Sequence, residues 1–206
     1  MTNTCLKKDF KKIAKLIIHM EQLPKYAKLV FEGKIFKIYQ WEQKMFDGSI
    51  QIFEIAKRND NVQVLATVND KIILIKELQP HFKKYKISLP GGNVDDNESP
   101  KDAAKREFFE ETGYKADNLV LFKKNSLGSK VIRTFYLYIT KNPKQINNVI
   151  DTNGEKIQLM LVDFNDFIKL SQNENFRNKE LTSYIKQIQN DDFKMLKFKE
   201  LLFKQQ

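Results

Sequence analysis

A single cysteine, Cys5, stands in 206 residues. That excludes a disulfide framework, a Cys/His zinc spacing and a paired redox thiol. No uncharged apolar run reaches the roughly 18 residues that a membrane-spanning helix needs. The apolar patch Leu16-Ile17-Ile18 is too short for the core of a signal peptide, so a cytoplasmic protein away from any membrane is expected. Internal repeats and low-complexity linkers are missing too. What remains is the composition of an ordinary globular chain, long enough to bury a core without staples.

Charge is the one imbalance. Thirty-six Lys and Arg against 26 Asp and Glu give a formal net charge of +10. A nucleic-acid groove is one reading of such a balance. The lysines are spread along the chain rather than clustered, and lysine is a poor residue for planar, bidentate phosphate recognition. Nucleic acid is therefore not favoured. A general attraction for anionic substrates requires less.

The apolar pattern divides the chain. Phe10, Ile13, Ile17 and Met20 recur at helical spacing, predicting a helix over residues 9–23 that Pro24 ends; His19 lies within it. From Lys28 to Leu78 short β-branched and aromatic runs alternate with turns at Asp47-Gly48, Asn59-Asp60-Asn61 and Asn69-Asp70. These predict an antiparallel meander with strands at 29–31, 35–41, 49–55, 62–68 and 72–75. A helix over 99–112 has a complete set of end signals. Ser99 can cap it, Pro100 takes the first turn, Asp102 reaches back, and Gly113 ends it in the left-handed conformation. Strands resume at 119–122, 131–139 and 157–162. Asp163 caps a short helix through Leu170, and helices follow at 179–189 and 192–203, the last offering Phe193, Leu196 and Phe203 for packing. The order predicts an α+β layout around a mixed sheet. Its expected divisions are an N-terminal helix and first strand over 1–33, a main domain over 34–190, and a C-terminal helix over 191–206.

Chemistry concentrates in residues 91–114, GGNVDDNESPKDAAKREFFEETGY. Spacings of three and four bring Glu107, Glu110 and Glu111 onto one helical surface, with Arg106 beside them. Carboxylates gathered so closely repel one another unless cations compensate. Hard divalent cations, Mg²⁺ above all, prefer such oxygens. Glu98 can join from the preceding loop. Gly91 and Gly92 allow a tight turn that brings carbonyls close to a metal. A solvated acidic helix face would explain three glutamates alone, but not their fixed spacing to a Gly-Gly entry, a cap and a Gly exit.

The stretch resembles the Nudix box, G-x5-E-x7-R-E-U-x-E-E-x-G-U, where U is bulky and apolar. Gly92, Glu98, Arg106, Glu107, Glu110, Glu111 and Gly113 match every fixed position, and Phe108 and Tyr114 fill the U positions with aromatic residues. The resemblance implies a Nudix-type α/β/α sandwich with a mixed sheet, plus N-terminal antiparallel strands and terminal helices. It implies hydrolysis of a diphosphate joined to a further moiety, with Mg²⁺ or Mn²⁺ as cofactor. By position, Glu107 and Glu111 are the main metal ligands. Glu110 completes the cluster, the Gly91 carbonyl and Glu98 are further contacts, and Arg106 orients a glutamate. The proton-accepting carboxylate varies in the family; besides Glu110, Glu155 is a candidate base or extra ligand.

Residues 34–68 are similar to the N-terminal strands of ADP-ribose and ADP-sugar pyrophosphatases, which commonly build a homodimer. Trp41 and Phe46 become candidates to stack on a base, and His81 to contact phosphate. Two features of that branch are missing. Its Arg-rich segment is replaced by Glu77-Leu78-Gln79-Pro80-His81, and Ser88 stands where an acid usually precedes Leu-Pro. A nucleoside diphosphate derivative, ADP-ribose or a nucleotide sugar, is the expected substrate. Pyrophosphohydrolysis of RNA 5′ ends or nucleoside triphosphates is the rival activity. A non-catalytic Nudix ligand-binding module is the other alternative, set against retention of every box glutamate.

Overall fold

The computed structural model describes residues 23–204 except 82, 129, 148–153 and 155. Cys5, His19, Glu155 and the helix expected over 9–23, save its last position, fall outside them. The chain divides into two compact units, one built from residues 1–58 and 126–133, the other from 59–125 and 134–206.

In the first unit β1 (Lys28–Glu32), β2 (Lys37–Lys44) and β3 (Ile50–Lys57) form an antiparallel sheet. The predicted Asp47-Gly48 turn joins β2 to β3. Gly48 takes φ +87°, and Asp47 accepts from the Ser49 amide at 2.9 Å. Among its described residues none is fully buried. Leu29, Phe31, Ile50 and Ile52 are all exposed.

The second unit carries β4 (Asn61–Val68), β5 (Lys71–Leu78), β6 (Lys86–Ser88), α1 (Pro100–Thr112), β7 (Tyr114–Lys115), then most of β8 (Val120–Leu127) and β9 (Val131–Lys141). After these come β10 (Lys144–Gln145), β11 (Lys156–Val162), α2 (Phe164–Leu170), α3 (Lys179–Ile188) and α4 (Asp192–Phe203). Its sheet is mixed. β9 runs parallel to β4, and β4, β5 and β11 follow antiparallel. The Asn69-Asp70 hairpin is as expected, both residues at positive φ, which a two-residue turn of matching twist requires.

Alternation along the strands sends side chains to two faces. Val62, Val64, Ala66, Ile73 and Tyr138 meet Ala103, Ala104 and Phe108 of α1. Leu65, Ile72, Leu74, Leu137 and Ile139 meet α2, α3 and α4 through Phe164, Phe167, Leu181, Ile185, Phe198 and Leu202. This is the expected α/β/α sandwich. The two alanines let α1 lie close to the sheet, and Phe108, with no exposed surface, anchors it.

Three expectations need correction. The antiparallel meander stops at β3, because Ala56 and Lys57 pair in parallel with Val131 and Ile132 while β4 pairs in parallel with residues 135–141. The short strands β6, β7 and β10 were not anticipated. In α4 the buried residues are Phe198 and Leu202, neither of them expected; of the three expected to pack, Phe203 packs against the core while Phe193 and Leu196 are exposed.

One departure from regular pairing positions the site. β4 and β5 pair only over Ala66–Val68 and Lys71–Ile73. Beyond that β6 takes β5 as its partner, Ser88 opposite Ile75. The chain continuing from β6 bonds to β4 instead: Val64 donates to the Pro90 carbonyl and Val62 to the Gly92 carbonyl, both at 2.9 Å. The segment 88–92 is thus wedged between two splayed strands.

Candidate functional site

Helix α1 presents the glutamates, and its ends match their sequence signals. Ser99 Oγ accepts from the Asp102 amide at 3.1 Å. Gly113, at φ +73°, donates its amide to the Phe109 carbonyl at 2.8 Å. Ala103, Ala104, Phe108 and Thr112 are its buried residues, while Arg106, Glu107 and Glu111 reach the 91–98 loop.

Arg106 collects the acidic groups. Its Nε donates to Glu98 at 2.9 Å and its Nη2 to the same carboxylate at 2.8 Å, a bidentate pair. Nη1 donates to Glu107 at 2.9 Å and to Glu110 at 3.3 Å. Nη2 also reaches the Asn93 carbonyl at 3.1 Å and lies 3.5 Å from Asp95. The guanidinium therefore ties the loop to the helix. It holds the Glu98 carboxyl below the ordinary glutamate value. Glu107 goes the other way. Burial pushes its carboxyl up, Arg106 opposes this, and repulsion from Glu110 and Asp95 adds to it.

Glu111 binds the loop directly, accepting from the Gly91 amide at 2.7 Å. Gly91 has φ +149°, and a Cβ there would collide with the Val62 carbonyl. A Cβ on Gly92 would collide with the Glu107 carboxyl. Close approach to the β4 backbone requires the first glycine, whereas at the second a Cβ would displace the Glu107 carboxyl. Asn61 Nδ2 secures the Gly92 carbonyl at 2.6 Å. None of these bonds uses the Gly91 carbonyl.

The donor set suits a hard divalent cation. Every group is a carboxylate or carbonyl oxygen, and four carboxylates share one guanidinium, an excess of negative charge that a cation would offset. Among the described residues no three such side chains converge as a ready-made cage, and Glu98, Glu107 and Glu110 are each paired with Arg106.

His81 is on the exposed turn after β5. In the first unit, Trp41 is half-buried on β2 against Phe53, ring centres 5.7 Å apart, and its Nε1 donates to Gln43 at 3.0 Å. Phe46, at the β2–β3 turn, is fully exposed. Glu155 lies outside the described residues.

Sequence reasoning missed a buried polar group beneath the loop. Glu77, 4% exposed, accepts from Arg177 and from Ser88 Oγ. The Asn178 side chain accepts from the Leu89 amide at 2.7 Å. These partners lie 100 and 89 residues apart in sequence, so no local spacing could reveal them.

A family model for the NUDIX domain matches residues 57–184. An ADP-ribose pyrophosphatase of Bacillus subtilis is 26% identical over 149 residues, 68% of this chain and 78% of its own. An ADP-sugar pyrophosphatase of Mus musculus is 32% identical over 101 residues, 43% of this chain and 46% of its own. The ADP compounds hydrolase NudE of Escherichia coli is 28% identical over 100 residues, 48% and 54%. The chain thus spans about half the length of the last two. In fold it is like the crystal structure of an ADP compounds hydrolase, with a TM-score of 0.64 at 18% identity, covering 81% of this chain and 91% of that one.

Proposed function

The chain belongs to the Nudix hydrolase family, and from that premise we propose that it hydrolyses the diphosphate of a nucleoside diphosphate derivative, ADP-ribose or a nucleotide sugar. The products are a nucleoside monophosphate and a phosphorylated moiety. The observation that carries this reading is the complete acidic set on α1 facing the Gly91-Gly92 loop, with more carboxylates than Arg106 neutralises. The names of the relatives favour the same substrate class.

In this reading Glu107, Glu110 and Glu111 hold Mg²⁺, or Mn²⁺ in its place, with the Gly91 carbonyl and Glu98 as further contacts. When bound, the cation offsets the charge of the diphosphate oxygens and acidifies water. Arg106 keeps the 91–98 loop against α1, so that the carboxylates stay in one constellation. Glu110 is the proposed proton acceptor from water, with Glu155 as the other candidate carried from sequence. Phe108 and the two alanines fix α1 against the sheet, giving the cluster a rigid support.

A homodimer belongs to the proposal. The β1–β3 sheet has no fully buried described residue and exposes Leu29, Val30, Phe31, Ile50 and Ile52. Exposed apolar surface of that extent marks an interaction face, and a second copy of the chain is the proposed cover.

The test is product analysis with purified protein, Mg²⁺ and a panel of ADP-ribose, nucleotide sugars, nucleoside triphosphates and 5′-triphosphorylated RNA. Nucleoside monophosphate released from ADP-ribose or a nucleotide sugar is the expected result. Preference for RNA, with strongly salt-dependent binding, would move the protein to the rival activity. No turnover on any compound would favour a binding module.

A further inference from the structure

Asn178 occupies the N-cap position of α3, where asparagine is among the preferred residues because its side chain can accept from an amide of its own first turn. Here it makes no such bond among the described residues. Its oxygen turns instead to the Leu89 amide, 89 residues earlier in the chain, at 2.7 Å. Asn178 is 1% exposed and Leu89 2%. The Asn178 Nδ2 is also buried, with no partner among the described residues. A buried unpaired donor and a forgone cap each cost stability. A residue kept at such a position is held there by what its oxygen does.

That oxygen fixes one end of the wedged loop. The backbone bonds around it form a parallel bridge: Ile87 donates to the Asn175 carbonyl at 3.0 Å, and Arg177 donates back to Ile87 at 2.9 Å. Arg177 and Ser88 then share the buried Glu77 carboxylate. Leu89 follows directly, and two residues later the Gly91 amide meets Glu111. The 175–178 segment is therefore a clamp on the strand leading into the glycine pair, applied from the side away from α1.

The geometry points to Asn178 as a positioning residue: by holding the Leu89 amide it sets the register of residues 89–92, and so places Gly91 and Gly92 against Glu111 and Glu107. It acts on the loop and has no contact with the glutamates. This inference rests on the reading of the cluster as a divalent-cation site.

The experiment compares wild type, Asn178→Ala, Asn178→Asp and Ile185→Val. Asp keeps the acceptor. Ile185 is a buried core residue of the same helix whose side chain has no group to bond the Leu89 amide, and it controls for lost stability. Mn²⁺ affinity is read by electron paramagnetic resonance, and amide exchange is followed at Leu89 and Gly91. Asn178→Ala is expected to weaken Mn²⁺ binding about 10–100-fold, as removal of a partner behind a metal site does. It should also speed exchange at both amides, while Asn178→Asp stays near wild type. Where a substrate is turned over, kcat should fall more than KM rises. Wild-type Mn²⁺ affinity and loop exchange in Asn178→Ala would overturn the assignment. So would equal losses in Ile185→Val. Both readouts need no substrate, so failure of the hydrolase reading, seen as wild type without turnover, is distinguishable from failure of this one.

Discussion

Gly92 lies so close to Glu107 that one methyl group there would occupy the space of its carboxyl. The colliding atoms are the far end of a flexible side chain, so Gly92→Ala should fold. It should also displace Glu107, and misplacement of a catalytic group by about 1 Å costs about 100-fold in rate. The expected outcome is a near-native melting temperature with turnover down by about that factor; unchanged turnover would show that Glu107 need not stand where it does. This much was legible in the sequence, because the glycines, Arg106 and the glutamates fall within one short segment of fixed spacing. Glu77, Arg177 and Asn178 were not. Taken alone they are an acid on a strand, a base and an asparagine before a helix. Their meaning comes from pairing across 89–100 residues, which only the folded sheet brings about.

Among the elements, α1 was read almost to the residue because its ends carry local chemistry: a serine cap, a first-turn proline and a glycine stop. β6 was missed because Lys86–Ser88 is too short to show alternation, and it owes its strand form to β5 on one side and Phe176 on the other. α4 failed differently. Phe193, Leu196, Phe198 and Leu202 suit two faces of a helix, and periodicity could not choose between them. The core chose Phe198, which lies 6.3 Å from Phe122 and 5.3 Å from Tyr184, measured between ring centres. Phe198→Ala should cost about 3–5 kcal/mol in urea unfolding. Phe193→Ala, on the exposed face, should fall within about 0.5 kcal/mol of wild type. Equal effects would refute the assigned face.

At the scale of the molecule, the two units differ in how they are stabilised. The larger has a buried core on both sides of its sheet. The smaller has three antiparallel strands, an apolar exposed surface and no fully buried described residue, so within it burial contributes little. The sequence displayed these strands through alternation and the Asp47-Gly48 turn, but could not say which face would be left open. If a second copy covers it, light scattering should give twice the chain mass, and Ile52→Lys should shift the protein toward monomer. A monomeric wild type would contradict the dimer. Across the described residues no helix is long and apolar enough to cross a membrane.

If the carboxylates of α1 carry the proposed hydrolysis, turnover depends on the charge of Glu111. The decisive measurement is kcat of wild type and Glu111→Gln at saturating Mg²⁺ on the substrate that the panel identifies, with circular dichroism on the same samples. The glutamine keeps the shape and an acceptor for the Gly91 amide but removes the charge. An unchanged spectrum and a loss of roughly 100-fold or more are expected, the rate equivalent of several kcal/mol of charge stabilisation. A folded variant that retained wild-type turnover would contradict that dependence.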